Sequence, residues 1–207
     1  MNYFISAIGT DSGKTIASAI LVEALQADYW KPIQAGRPTD SDTIRQLVSE
    51  HLVIHPERHL LETPASPHAA AAVEEKKIQV SDFNLPHTSN SLVIEGAGGL
   101  MVPINNDELI VDMIPRFNAE LILVSNIYLG SINHTLLSLE VIKSRGYPLK
   151  GIIFNGISTP STESIILKYA QVPCLLHIKP EGQIDPVVIK KYANEFNYNW
   201  NELARKG

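Results

Sequence analysis

The stretch ISAIGTDSGKT, Ile5 to Thr15, ends in Gly13-Lys14-Thr15. These are the last three positions of the phosphate-binding pattern G-x-x-x-x-G-K-[ST]. Its leading glycine would fall on Ile8, and the nearest glycine, Gly9, stands one residue late. The chemistry asks for something looser than the pattern. A turn between strand and helix must aim backbone N–H groups at phosphate, with the helix N-terminus adding favourable partial charge. Gly9 and Gly13 allow a tight backbone around Thr10, Asp11 and Ser12. Lys14 supplies a cation for the outer phosphates, and Thr15 a hydroxyl for Mg²⁺. The strand-like run before the loop and the helix-like run after it favour a nucleotide site over an ordinary surface loop.

Two further loops carry matching chemistry. In VIEGAGGLMVP, Glu95 ends a buried strand and is followed by Gly96, Gly98 and Gly99. An acid in that place sits beside Mg²⁺ in phosphate-loop enzymes, and closely spaced glycines mean backbone passing near something. In WKPIQAGRPTDSD, Lys31 ends a strand, Pro32 stiffens the chain and Asp42 follows a short loop later. Lys31 would then face the same pocket as Lys14.

The elements that must hold these loops alternate strand and helix, the pattern of βαβ units around a parallel sheet. Strands are expected at 3–8, at 28–33 with a break at Pro32, and at 91–95, 120–125, 149–155 and 172–178. Helices are expected at 13–26, from a cap near Asp40 or Ser41 to about 52, and from a Ser66 cap with Pro67 in the first turn. Others fall at 131–145, at 161–170 and beyond Asp185. Most of the strands are apolar on both faces, as a covered parallel sheet requires. Ligands collect at the carboxyl ends of such strands, which selects the loops 9–15, 31–42, 95–104, 125–134 and 155–161.

Composition bounds the rest. The 207 residues suit one domain, 1–207, with 44% hydrophobic and 19% charged residues. The net charge of −5 comes without a basic run, so nucleic acid is not an expected partner. No apolar stretch is long enough to span a bilayer and no signal peptide is recognisable, so a cytoplasmic location is expected. A single cysteine, Cys174, excludes an intramolecular disulfide and reads as an inert strand thiol. His51, His55 and His59 have helical spacing, but Pro56 interrupts it and no further ligand completes a zinc set.

With these loops the chain resembles the dethiobiotin synthetases, ATP-dependent enzymes that close the ureido ring in biotin biosynthesis. The matching pieces are the G-T-D run before G-K-T, Lys31-Pro32, Ser41-Asp42, Pro64-Ala65-Ser66-Pro67-His68, Ile94-Glu95-Gly96-Ala97-Gly98-Gly99 with Pro103, and Leu129-Gly130-Ser131-Ile132-Asn133-His134. In this family the leading loop glycine is often missing, and Ala7 takes its place here.

The resemblance implies a three-layer phosphate-loop fold with a mostly parallel sheet. It implies a reaction joining CO₂ to 7,8-diaminononanoate with ATP, through a carbamate and a carbamic-phosphoric anhydride, to give dethiobiotin, ADP and phosphate. Lys31 and Lys14 would be catalytic, holding the carbamate and the transferring phosphoryl group. Gly9, Thr10, Asp11, Ser12, Gly13, Lys14, Thr15, Glu95, Gly96, Gly98 and Asn155 would bind ATP, with Asn155 reading adenine. Thr15, Asp42 and Glu95 would hold Mg²⁺. Lys31, Ala35, Gly98, Gly130, Ser131 and Asn133 would bind the diamine substrate, the last three from the neighbouring subunit of a homodimer. His68 and His134 lie in matched segments with either packing or ligand roles open. The alternatives are a partitioning-type ATPase switch, whose signature lysine would fall on Gly9, and a nucleotide-binding module without catalysis.

Overall fold

Each short apolar run of the chain becomes a strand because helices cover it on both sides. The computed structural model describes residues 1–206; Gly207, the last residue of the expected domain, lies outside the described residues. In chain order the elements are β1 Asn2–Ala7, α1 Lys14–Leu25, β2 Asp28–Trp30, β3 Ile33–Ala35, α2 Asp40–Leu47, β4 Ile54–His55, β5 His59–Leu61 and α3 Pro67–Val73. They continue with β6 Leu92–Gly99, α4 Met113–Phe117, β7 Glu120–Asn126, α5 Ser131–Ser144, β8 Leu149–Asn155, α6 Pro160–Ala170, β9 Cys174–Ile178 and α7 Pro186–Lys206.

Seven strands form one sheet in the order β4-β2-β6-β1-β7-β8-β9, every neighbouring pair parallel. Period-two alternation sends Phe4, Trp30, Ile94, Leu121 and Leu123 into one core, shared with residues of α3, α4, α5 and α6. Tyr3, Ile5, Tyr29, Val93, Ile122 and Val124 enter the other, shared with α1, α2 and α7. The three-layer α/β architecture expected from the sequence is the one observed. No helix among the described residues is long and apolar enough to cross a membrane.

The structure departs from the sequence expectation in three places. The 28–33 strand splits at Lys31-Pro32, and β3 leaves the main sheet to pair with β5 in a separate two-stranded parallel sheet. Pro32 has no N–H for a ladder, while its carbonyl accepts from the backbone of Arg58 and His59. Helix α2 stops at Leu47, short of 52. The chain is fastened there by Ser49, whose N–H and hydroxyl both donate to buried Glu23 of α1 at 2.8 Å. Strand β6 runs on past Glu95 through its glycines to Gly99.

Candidate active site

The register of β2 against β6 sets the first half of the site. Tyr29 lies opposite Val93 and Trp30 opposite Ile94. Side chains alternate along a strand, so Tyr29, Val93 and Glu95 fall on the α1 side of the sheet, and Lys31 continues the series where β2 ends. Lys31 is 5% exposed and Glu95 only 1%. The Lys31 ammonium donates to Glu95 Oε1 at 3.0 Å and pairs with Asp40 Oδ2. Burial would lower its pKa, but Glu95 and Asp40 outweigh that and hold it above the ordinary lysine value.

Thr15, in the first turn of α1, closes the cluster. Its Oγ1 lies 3.0 Å from Asp40 Oδ1 and 3.2 Å from Glu95 Oε1. Behind them the Tyr29 hydroxyl donates to Glu95 Oε2 at 3.0 Å. Burial, with the charge on Glu95 behind it, raises the Tyr29 pKa well above that of an ordinary phenol. A hydroxyl and two carboxylates converging in this way are hard oxygen donors, the set that Mg²⁺ prefers. The residues fit such an ion.

The loop from Gly9 to Gly13 forms the second half. Gly13 caps α1 in the left-handed region (φ 91°), and a Cβ there would overlap the Asn155 amide. That amide, at the end of β8, donates to the Ser12 carbonyl at 3.0 Å and braces the loop. Lys14 Nζ donates to the Gly9 carbonyl at 3.2 Å, folded back over the turn in the manner of a phosphate-loop lysine. Burial lowers the Lys14 pKa from the ordinary lysine value, while Glu95 pulls it the other way.

A cavity of about 750 Å³ joins the halves. Of the residues expected in the site, Thr10, Asp11, Gly13, Lys14, Thr15, Lys31, Ala35, Glu95 and Gly98 line it. Gly9 and Ser12 contribute backbone carbonyls to the loop. At Gly98 (φ 67°) a Cβ would stand 2.8 Å from Val102, so no side chain fits.

Other expected residues lie elsewhere. Asp42 is on the outer face of α2, half exposed and paired with Arg45 at 2.9 Å. Asp40 stands in the cluster in its place. The cap is Thr39, whose hydroxyl accepts the Asp42 N–H, and helical residues two apart point to different sides. Gly96 packs towards Phe4 and Ile110 in the core and does not line the cavity. Asn155 has one amide N–H committed to the loop. Gly130, Ser131 and Asn133 begin α5 away from the cavity lining. His68 bonds to Ser66 at 3.1 Å, and His134 pairs with Tyr128. His51 meets Gln26, His55 faces Asp28 and His59 faces Asp82, three separate partners.

Sequence reasoning missed Asp40, Tyr29 and Gln34. Gln34 Oε1 accepts the Asp40 N–H at 3.2 Å and its amide donates to the Ala35 and Gly36 carbonyls, fixing the start of α2. The usable signal was strand alternation, which puts Tyr29 on the same side as Lys31.

Sheet, loop and cluster together define a nucleotide-binding protein of the phosphate-loop class, and residues 1–188 match the family described as an AAA domain. Solved structures agree on the fold. A ParA family ATPase from Chlorobium tepidum has a TM-score of 0.53 and 15% identity, covering 100% of this chain and 93% of that one. The septum site-determining protein MinD from Pyrococcus horikoshii, complexed with Mg-ADP, has a TM-score of 0.53 and 16% identity, covering 94% and 96%. Curated relatives narrow the class. The ATP-dependent dethiobiotin synthetase BioD of Cytophaga hutchinsonii is 53% identical, covering 97% of this chain and 98% of its own length. That of Christiangramia forsetii is 50% identical, covering 98% and 99%. The chain belongs to the dethiobiotin synthetase family.

Proposed function

We propose that the chain, as one ligase domain, closes the ureido ring of dethiobiotin from 7,8-diaminononanoate, CO₂ and ATP, releasing ADP and phosphate. The observation that carries this reading is the single cavity in which a phosphate loop with Lys14 meets a second buried ammonium, Lys31. A nucleotide switch needs the first; a carbamate acceptor needs the second. An amine that captures CO₂ becomes a carbamate, a weak electrophile with a negative charge, and Lys31 is placed to hold it. Lys14 neutralises the phosphoryl group moving onto that carbamate, since phosphoryl transfer is chiefly positioning and charge stabilisation. The second amine then displaces phosphate from the mixed anhydride and closes the ring.

Mg²⁺, when bound, neutralises the phosphate oxygens and orients them. Thr15, Asp40 and Glu95 are the residues that would hold it, Asp40 taking the place assigned from sequence to Asp42. Asn155 keeps an amide N–H and its carbonyl oxygen for an adenine edge while bracing the loop.

The diamine's carboxylate belongs, in this reading, to Gly130, Ser131 and Asn133 of a neighbouring subunit in a homodimer. Three features support it. Helix α5 opens with no side-chain cap, its Ser131 N–H donating to the Tyr128 carbonyl and those of Ile132 and Asn133 left for an anion. The Ser131 hydroxyl is fully buried without a partner, and Leu129 beside them is wholly exposed. The test of the function is direct: with ATP, Mg²⁺ and bicarbonate present, phosphate release should require the diamine and yield dethiobiotin. Release at an equal rate without the diamine would instead indicate a simple nucleotide hydrolase.

A further inference from the structure

Glu95 has two carboxylate oxygens, and the fold gives them separate partners. Oε1 takes Lys31 at 3.0 Å and Thr15 at 3.2 Å, on the cavity side. Oε2 takes the Tyr29 hydroxyl at 3.0 Å, on the sheet side. The last torsion of a glutamate is broad and roughly two-fold, so nothing in Glu95 itself fixes the plane of its carboxylate. Tyr29 is fully buried, in register opposite Val93, and does not line the cavity. It can reach the nucleotide site only through Glu95.

We infer that Tyr29 is a positioning residue for the cation site: its hydroxyl holds Glu95 Oε2 and so turns Oε1 towards Thr15, Lys31 and the divalent ion. This rests on Glu95 being a Mg²⁺ ligand, as proposed above. Hydrogen-bond partners behind a metal ligand commonly govern about 10–100-fold in metal affinity. Tyr29→Phe keeps the ring and its packing but leaves a buried carboxylate oxygen without its donor, free to rotate away.

The experiment titrates Mn²⁺ into the full chain saturated with ADP and counts free ion by electron paramagnetic resonance, with no turnover involved. Tyr29→Phe should weaken Mn²⁺ binding by about tenfold or more and leave ADP binding without metal unchanged. A tyrosine that merely packs would lower the melting temperature of the metal-free protein and leave Mn²⁺ affinity as it was; that result overturns the inference. Glu95→Gln, titrated alongside, separates two failures. If Glu95→Gln binds Mn²⁺ like the wild type, the metal role of Glu95 falls and Tyr29 with it. If Glu95→Gln is weakened and Tyr29→Phe is not, only the inference falls. Should Tyr29→Phe fail to fold, 3-fluorotyrosine at position 29 keeps the ring and strengthens the donor. A tighter Mn²⁺ complex is then expected, and an unchanged or weaker one refutes the role.

Discussion

Helices α1 and α5 begin alike and end up in different surroundings. Each starts at the carboxyl edge of the sheet, and each is capped by a glycine in the left-handed region, Gly13 at φ 91° and Gly130 at φ 106°, with no side-chain cap. Such a start leaves several backbone N–H groups free for an anion. Around Gly13 the chain supplies the rest of a site: Lys14, Thr15, Lys31, Glu95 and the Asn155 brace. Around Gly130 stand exposed Tyr128, Leu129 and Ile132, and a buried Ser131 hydroxyl with no partner. The same local device is complete in one place and unfinished in the other. Under the proposed dimer, the groups that would complete the second site come from a neighbouring chain.

Removing a cation from the complete site should have the largest effect. Lys31→Gln should lower kcat by about 10²–10³-fold while nucleotide binding, measured calorimetrically, stays near wild type. Lys14→Ala should weaken nucleotide binding as well as abolish turnover. Equal loss of ATP affinity in the two variants, with diamine binding untouched, would merge the roles that the geometry separates.

The two acids of α2 give the next contrast. Asp40→Asn should raise the Mg²⁺ requirement and cut activity by about 10–100-fold, whereas Asp42→Asn, on an exposed pair with Arg45, should change little. The reverse ranking would restore Asp42 to the site and displace the observed cluster.

The unfinished end should respond more mildly. Asn133→Ala should raise the KM for the diamine several-fold and spare ATP binding. Mixing Lys14→Ala with a variant crippled at Asn133 should restore up to about a quarter of the wild-type sites, if subunits exchange at random and each mixed dimer holds one intact site. No recovery, despite demonstrated exchange, would place the carboxylate within one chain and end the contrast between the two helices.

Much of this was legible from residue order alone, and the limits have physical causes. Lys31 and Glu95 were recognisable because a charged residue ending a buried parallel strand has one place to go, the ligand edge. Asp40 was not, because the facing of α2 depends on where its cap falls. With Thr39 as cap, positions 40 and 42 point about 200° apart, and only a cap two residues away would exchange them. Gly96 was grouped with the loop glycines, yet β6 continues through it, and strand alternation turns it towards Phe4. Strands β4 and β5, of two and three residues, carry too little pattern to register in sequence. Their partners β2 and β3, rather than their own residues, define them.

Strand β6 carries Glu95 between two hydrogen-bonded neighbours, β2 on one side and β1 on the other. Its amides can exchange with solvent deuterium only when the sheet itself opens, so the protection of Ile94 and Glu95 reports the stability of the whole fold. The start of α5, where Leu129 is wholly exposed, has no such cover, and its amides should exchange at smaller free energy. Under rising denaturant the cluster at Glu95 should therefore persist until global unfolding, while the chain around Gly130 should loosen first.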